Sequence, residues 1–504
     1  MSIDSWRHAS LCLAIAGLVI LPVFALMYLL HPTVADQTEA AVAGITAAWR
    51  NGQPLFHDFD APWTYSLSYG PVLYALLRPL HALIGDPLSA GKLSGLIWAA
   101  AGLFAIHRVA RASLPAKDAL RIVGFACLGL MAFGETSVGG RGDAILFGLV
   151  GLAILVLPAK TAPLASATIR WALIGAIVGT AMGIKAPTAI YFTSVLPMLI
   201  ESKNPFRLTF VAAVAGLVFL ALPFVVLPDV DVFNFAAFLQ AIAGHPPTLE
   251  RAVGPIVWAS LMILPAAAAI ALAEDRHDWV TKERRSLAAL VLTMAALIAV
   301  GAKVGAGRHH VIPFIPIAAW FWTRSQAGLG ASTSPSHRTL WEAIVAVLLA
   351  LLLLLGSIHL RGVASRLDGE QARKARGEIE VILDRESGRS ISMGYAEPGE
   401  LSFLRSLVIA ENHPLVLDSS AIMDATLVGW SANEQILASF EDCLVESWIS
   451  PTDSPPLDLR NHYAQDKNTF GDKIHVVFEA SYRPAYSTGL YTVWHCKNEV
   501  EGEP

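Results

Sequence analysis

The sequence predicts an α-helical polytopic membrane protein of about eleven transmembrane helices. A long first extracytoplasmic loop containing interfacial helices and a small C-terminal α/β domain on the same side complete the predicted fold. Three observations carry this expectation. The 504 residues are 54% hydrophobic and only 15% charged, with a mean hydropathy of +0.53, whereas soluble domains run near 45–50% apolar and about 25% charged. Apolar runs of near-bilayer length recur through residue 360. Successive short loops alternate between rich and poor in lysine and arginine. A net charge of −5 argues against nucleic-acid binding, which draws its affinity from cations on phosphates.

The runs fall near 9–30, 90–110, 119–135, 142–158, 171–184, 187–200, 208–227, 253–273, 286–304, 309–323 and 341–360. The first follows a single cation, Arg7, and exceeds a signal-peptide core, so it reads as a retained helix. With the N-terminus in the cytoplasm, one set of loops holds Arg7; Arg108, Arg111, Lys117 and Arg121; Lys160 and Arg170; Lys203 and Arg207; Arg276, Lys282, Arg284 and Arg285; Arg324 and Arg338. All then lie inside, as the positive-inside rule requires. Segment 31–89 and everything after 360 lie outside.

Two segments bear on this parity. "GPVLYALLRPLHALIG" (70–85) is short and contains Arg78, Pro79 and His81. As a span it would move every later basic cluster outside, so it reads as a helix in the interface. Segment 171–200 reads as two limbs of about fourteen residues each, broken at Lys185-Ala186-Pro187. Proline favours the break, and a lysine at mid-bilayer is costly without a partner.

This topology sends Asp36, Glu39, Glu135, Arg141, Asp143, Lys185, Lys303, Arg308, His309 and His310 to the outer ends of the spans. Ionisable groups at membrane depth default to a functional reading. Carboxylates mixed with cations suit a site that binds a phosphate and removes a proton. Each element also has a plain structural reading. Asp36 and Glu39 could begin an amphipathic helix, "DQTEAAVAGITAAWRNG", with a weak apolar face at Ala40, Ala43, Ile45 and Ala47, since acids favour a helix N-terminus. Arg141 and Asp143 could be a local pair at a helix start, Lys185 a snorkelling lysine, and "GAGRHH" a turn. Their shared face is what favours a site.

The order of these features resembles the GT-C class of membrane glycosyltransferases, which includes protein O-mannosyltransferases, lipid A aminoarabinose transferases and bacterial proteins similar to lipopolysaccharide galacturonosyltransferases. The resemblance covers residues 10–325. It rests on the acidic first loop, "GRGDAILFGLVGLAIL", "GIKAPTAIY" with its basic tip, and "GAGRHHVIPFIP". The segment "WRNGQPLFHDFDAPWTYSLSYGPVLYALLRPL" is similar to bacterial relatives of unassigned substrate, with Phe56 where they carry tyrosine. The adjacent acid pair of the mannosyltransferases is replaced by Asp36 and Glu39, separated by two residues, so which carboxylate is the base stays open.

The resemblance implies a polyprenyl-phosphate-linked sugar donor, a lipid, glycan or protein acceptor, and a multi-pass protein of the bacterial inner membrane with its site facing the periplasm. On this reading Asp36 is the expected general base and Glu39 its neighbour in acceptor binding or orientation. Lys185, Arg308, His309 and Arg141 are expected at the donor phosphate. His57, Asp58, Trp63, Tyr65, Tyr69, Asp143 and His310 are expected to line the cleft. No cofactor is implied with certainty. A divalent metal has carboxylates and histidines available, but no tight ligand spacing demands one.

The expected domains are 1–360, catalytic and transmembrane with the loop 31–89, and 361–504, a periplasmic α/β domain. "RGVASRLDGEQARKARGEIEVILDRESG" reads as a helical linker, "HPLVLDSSAIMDATLVGW" as mixed short pieces, and "KIHVVFEASY" and "GLYTVWHCK" as strands. Of four cysteines, Cys12 and Cys127 read as small core residues. Cys443 and Cys496 are predicted to form a disulfide, which an extracytoplasmic position permits. Two rivals remain. A transporter would favour internal repeats, and none is evident. Another lipid-linked glycan transferase or ligase would share most of these features.

Overall fold

The computed structural model describes residues 2–159, 162–328, 333–396, 399–427, 429–452, 455–463 and 467–498. Lys160, among the expected inside cations, lies outside the described residues. The chain gathers into two compact units. One comprises Met1–Leu29, Leu93–Val225 and Pro246–Ala364; the other comprises Leu30–Lys92, Val226–His245 and Ser365–Pro504.

The first unit is helical. Among the described residues of the chain, seven helices are long and apolar enough to cross a membrane: Ile3–Leu30, Pro87–Arg111, Leu164–Met182, Pro205–Val226, Leu249–Leu272, Arg276–Gly301 and Pro335–Arg366. The other expected spans are shorter helices, Ala116–Met131, Gly142–Leu155 and Ile315–Gly328, with the broken stretch Ala186–Ile200. The expected pair of short limbs over 171–200 is unequal. Its first limb is a regular 19-residue helix, Leu164–Met182, and its second alternates 3-10 and α turns from Ala186 to Ile200. Pro187 and Pro197 withhold backbone donors there.

Small residues set the closest helix packing. A side chain at Gly175 would strike the Ala212 carbonyl, and one at Gly179 the Gly216 carbonyl. This places Gly175-xxx-Gly179 of Leu164–Met182 against Ala212-xxx-Gly216 of Pro205–Val226, the small-xxx-small contact through which membrane helices gain dispersion energy. Three helices also meet at a buried carboxylate. Glu342 receives Arg7 Nε at 2.6 Å and Arg121 Nη2 at 2.5 Å, and Arg121 also reaches Asp118 at 3.1 Å. Two cations expected only to mark the inner side thus tie the first, third and last helices of this unit. Cys12 is exposed on Ile3–Leu30, contrary to the expectation of a core position, while Cys127 is buried. The apolar run around Cys12 belongs to a helix that keeps much of its apolar surface outward, including Val19, Val23 and Met27.

The second unit joins the first loop to the C-terminal region. Its sheet contains β1 (Ile391–Met393), β2 (Ser447–Pro451), β3 (Tyr482–Ser487) and β4 (Tyr491–Cys496), in the order β1-β2-β4-β3. β1 and β2 are parallel, with Ser392 opposite Trp448; β2 and β4 are antiparallel, with Trp448 opposite Trp494. One core layer packs Val34, Ala40, Ala43 and Leu88 of the loop segment with Ala375, Ile379 and Ile382 of helix Gly369–Arg385 and with Ile391, Ile449 and Val493 of the sheet. Fully burying each large aliphatic side chain contributes about 1.5–3 kcal/mol.

Backbone pairing continues the union. Thr64 N donates to Val416 O at 2.7 Å, and Asp418 N donates to Thr64 O at 2.8 Å. Gln53 exchanges hydrogen bonds with Leu415, at 3.1 and 2.9 Å. Helix Gln37–Arg50, expected to have a weak apolar face, is buried from Glu39 through Trp49. Its alanines and Gly44 permit enclosure on every side, and a side chain at Gly44 would press Ile409 Cδ1 at 3.2 Å.

One reading of the C-terminal region changes. Segment 473–482, read as a strand, forms helix Asp472–Ser481, which buries Ile474 and Phe478 one turn apart on the same face. Strand β2 and helix Val232–Ala243 had no counterpart in the expected elements. The pieces around 413–430 form the Thr64–Leu417 bridge and helix Ser419–Thr426. Buried Arg405 holds Asp418 Oδ2 through Nε at 3.0 Å and Nη2 at 2.6 Å, while Asp418 Oδ1 caps that helix. The structure links Cys443 to Cys496, with Cα atoms 5.9 Å apart.

Candidate functional site

Within the membrane-helix unit, four of the expected residues gather around a fifth, the carboxylate of Asp143. Asp143 stands in the first turn of helix Gly142–Leu155 and is 1% exposed. Arg141 Nε lies 3.3 Å from Asp143 Oδ2, and Lys185 Nζ lies 3.5 Å from Oδ1. His309 and His310 lie on a turn that packs against the helix of Asp143. Their rings stack with centroids 4.8 Å apart. The proline-bearing 3-10 turn Arg308–Phe314 carries the histidines, and the Tyr191 hydroxyl fixes it by donating to His310 O at 2.7 Å. Lys185 ends the first limb of the broken segment in an extended conformation. The break expected from Pro187 therefore delivers the lysine to Asp143. A buried carboxylate with two cations at this range holds them as a pre-ordered positive group.

A second cluster adds one residue that the sequence did not single out, His359. Glu135 Oε2 lies 3.3 Å from His359 Nε2, and Arg308 Nη2 lies 3.5 Å from His359 Nδ1. Arg308 itself is exposed. Gly134, just before Glu135, has φ +48°, and a side chain there would meet the His359 ring at 2.7 Å. Only glycine combines that backbone conformation with that approach. Lys303 follows helix Arg276–Gly301 and pairs with Pro247 in an isolated bridge.

The other expected residues lie in the second unit. Asp36 is the N-cap of helix Gln37–Arg50, its Oδ1 accepting from Thr38 N at 2.7 Å and Glu39 N at 3.2 Å. Glu39, one turn on, is 2% exposed. Facing it electrostatically is Lys92, a residue absent from the expected set, whose Nζ donates to His31 O and Thr33 O at 2.6 Å each. The sequence signal for Lys92 and His359 was the one used for Lys185, an ionisable residue inside an apolar run, but neither sits at a motif.

The residues expected to line a cleft behave differently from one another. Both ring nitrogens of His57 serve backbone: Nδ1 bonds Asp58 O at 2.8 Å, and Nε2 accepts from Tyr65 N and Ser66 N at 3.1 and 3.3 Å. Burial holds its pKa down to about 4, so the neutral ring is an internal strut. Tyr65 is fully buried and donates to Pro54 O at 2.7 Å, which leaves no open face for stacking. Tyr69 is buried, Trp63 half-buried, and Asp58 exposed in a turn where it accepts from Asp60 N at 3.2 Å. A cavity of about 230 Å³ in this unit is instead lined by Phe59, Phe238, Trp430, Leu67, Ile242 and Asp424, with smaller neighbours. Among the described residues, no group of three or more His, Cys, Asp or Glu side chains is disposed to hold a metal ion.

This architecture, apolar helices with an acidic first loop and a C-terminal sheet region, is the fold of the GT-C class of membrane proteins. The chain is similar along nearly its whole length to the crystal structure of ArnT from Cupriavidus metallidurans bound to undecaprenyl phosphate, with a TM-score of 0.57, 12% identity, and coverage of 97% of this chain and 99% of that chain. Against the same protein in its apo state the TM-score is 0.58 at 14% identity, covering 95% and 97%. The Archaeoglobus fulgidus oligosaccharyltransferase overlays more loosely, with a TM-score of 0.45, 12% identity, and coverage of 96% of this chain and 74% of that chain. No family model matches the chain, and no curated protein matches it. At these identities the likeness establishes the fold.

Proposed function

We propose that the chain is a membrane glycosyltransferase that moves a sugar from a polyprenyl-phosphate donor to a lipid, glycan or protein acceptor at the periplasmic face of a bacterial inner membrane. The observation that carries this reading is the Asp143 cluster, in which Arg141 and Lys185 converge on a single carboxylate and the turn bearing the 309–310 histidine pair packs against its helix. The fold supplies its context, since one of the similar structures is bound to undecaprenyl phosphate.

In the proposed reaction the acceptor hydroxyl attacks the anomeric carbon. Its O–H proton passes to Asp36, the new C–O bond forms, and the bond from that carbon to the phosphate oxygen breaks. The polyprenyl phosphate departs with the bonding electrons. Charge grows on the leaving phosphate, so fixed cations stabilise the transition state more than the bound donor. Lys185 and Arg141, ordered by Asp143, and Arg308, steadied by His359, take that role beside His309 and His310. Asp36 is preferred to Glu39 as the base because Glu39 is buried opposite Lys92. A carboxylate base of this kind contributes about 10²–10⁴-fold.

The decisive experiment incubates purified full-length protein with a panel of polyprenyl-phosphate sugars and measures release of lipid phosphate. Release with at least one donor is expected, together with binding of undecaprenyl phosphate. Failure of both across the panel would refute the reading.

A further inference from the structure

We propose that Lys92 is a positioning residue for Asp36, holding the segment from His31 to Glu39 in the one arrangement that presents the Asp36 carboxylate. The inference rests on the function proposed above for the meaning of that arrangement. Its geometry stands independently.

Lys92 lies in the second turn of helix Pro87–Arg111 and is 1% exposed. A buried ammonium has three N–H donors to satisfy. Two go to the His31 and Thr33 carbonyls, both at 2.6 Å. The positive charge also faces Glu39 and Asp86 and is opposed by Arg376. The two carbonyls fall in the short stretch between the end of helix Ile3–Leu30 and the cap of helix Gln37–Arg50. Lys92 therefore ties down the chain before Asp36 through two backbone carbonyls, while its charge faces Glu39 just after it.

The surroundings fix Lys92 in turn. Asp86 Oδ1 caps the start of its helix by accepting from Leu88 N at 3.0 Å, and Asp86 Oδ2 receives Arg376 Nη2 at 2.7 Å. Val34, within the gripped stretch, is buried in the same core layer as Leu88 and Ile379. A carboxylate that merely capped a helix would need none of this. Capping requires only the two amide hydrogens already supplied by Thr38 and Glu39. The added ties have a clear use if the direction of the Asp36 carboxylate matters, because displacing a reacting group by about 1 Å costs on the order of 10²-fold in rate.

The test uses the full chain in detergent. Lys92→Met removes the charge that faces buried Glu39 and can lower overall stability, so it is paired with the double variant Lys92→Met/Glu39→Gln, which removes both charges. Hydrogen exchange is read at the Thr38 and Glu39 amides and, as an internal reference, at the Ile379 and Val493 amides. Turnover is read as lipid-phosphate release, with kcat and KM separated. In the double variant, exchange at Thr38 and Glu39 should quicken at least about tenfold with the reference amides unchanged. Its kcat should fall about 10²-fold while KM for the donor holds within about twofold, and Lys92→Arg should recover part of the loss. Unchanged exchange at Thr38 and Glu39 overturns the proposal whatever the turnover. Quickened exchange with parental kcat overturns it as well. If the parent releases no lipid phosphate from any donor, the function reading fails, while the exchange measurement still decides whether Lys92 holds the Asp36 segment.

Discussion

Replacing Asp36 by asparagine separates two roles that its position gives to one carboxylate. Its Oδ1 accepts from the Thr38 and Glu39 amides at 2.7 and 3.2 Å, and asparagine offers an oxygen in the same place. Asparagine and aspartate cap helices about equally well, and serine nearly so, whereas alanine costs about 1 kcal/mol. Asp36→Asn and Asp36→Ser should therefore melt close to the parent, and Asp36→Ala slightly below it. Neither asparagine nor serine can serve as a carboxylate base. Loss of a general base lowers turnover by about 10²-fold or more, or roughly 2.7 kcal/mol of barrier per hundredfold. The assay is lipid-phosphate release from a donor that the parent uses, beside binding of undecaprenyl phosphate, which should remain near parental in all three variants. If Asp36→Asn and Asp36→Ser turn over like the parent while only Asp36→Ala is impaired, Asp36 is a cap and nothing more. A dead Glu39→Gln in that assay would move the base one turn along the helix.

Lys185→Ala and Arg308→Ala should each weaken undecaprenyl phosphate binding and slow transfer with the fold retained. Arg308→Lys should recover only part, since lysine lacks the planar fork, and parental binding by both alanine variants would remove the phosphate from this cluster. Loss of the Cys443–Cys496 bridge, which spans 53 residues, should cost about 4 kcal/mol on the loop-entropy estimate. A Cys443→Ser/Cys496→Ser variant melting at the parental temperature would contradict that. Burial holds the His57 pKa at about 4, against about 6.5 in the unfolded chain. Between those values the unfolded chain binds more protons, so the contribution of neutral His57 is complete above pH 6.5 and is lost as pH falls toward 4, by up to about 3 kcal/mol. Thermal midpoints from pH 7.5 to 4.5 should drop more steeply for the parent than for His57→Gln, and equal slopes would refute the strut role. In a chain with Cys12 and Cys127 replaced by serine, an impermeant maleimide should label Ala485→Cys in intact cells and Ser336→Cys only after lysis; labelling of both from outside would end the proposed topology.

Much of this protein was legible in its sequence because bilayer chemistry is severe. A helix that crosses lipid must satisfy its backbone internally and present apolar side chains, so composition and run length alone marked the helices. The same severity exposed Arg141, Asp143, Lys185, His309 and His310, since ionisable groups in such runs are conspicuous. Pro187 marked the break that carries Lys185. The sequence also placed Asp36 at the head of a helix, because an acid before an alanine-rich stretch is a cap signal as well as a candidate base. Pairing was not legible. Lys92 reaches His31 and Thr33 from about sixty positions away, and His359 reaches Arg308 across 51 positions and Glu135 from still further along the chain. No periodicity encodes such meetings. Tertiary structure also turned His57 and Tyr65 from expected ligand contacts into buried struts, because an aromatic or imidazole side chain looks the same in sequence whether its polar atom meets substrate or a backbone amide. The helix at 472–481 was misread because its alternating and helical patterns overlap over so few residues, and burial of Ile474 with Phe478 chose between them. The first loop's length was plain from the outset. That it folds as one unit with residues some 350 positions later was decided by the hydrogen bonds of Gln53 and Thr64 with Leu415, Val416 and Asp418, which only the packed chain brings within reach.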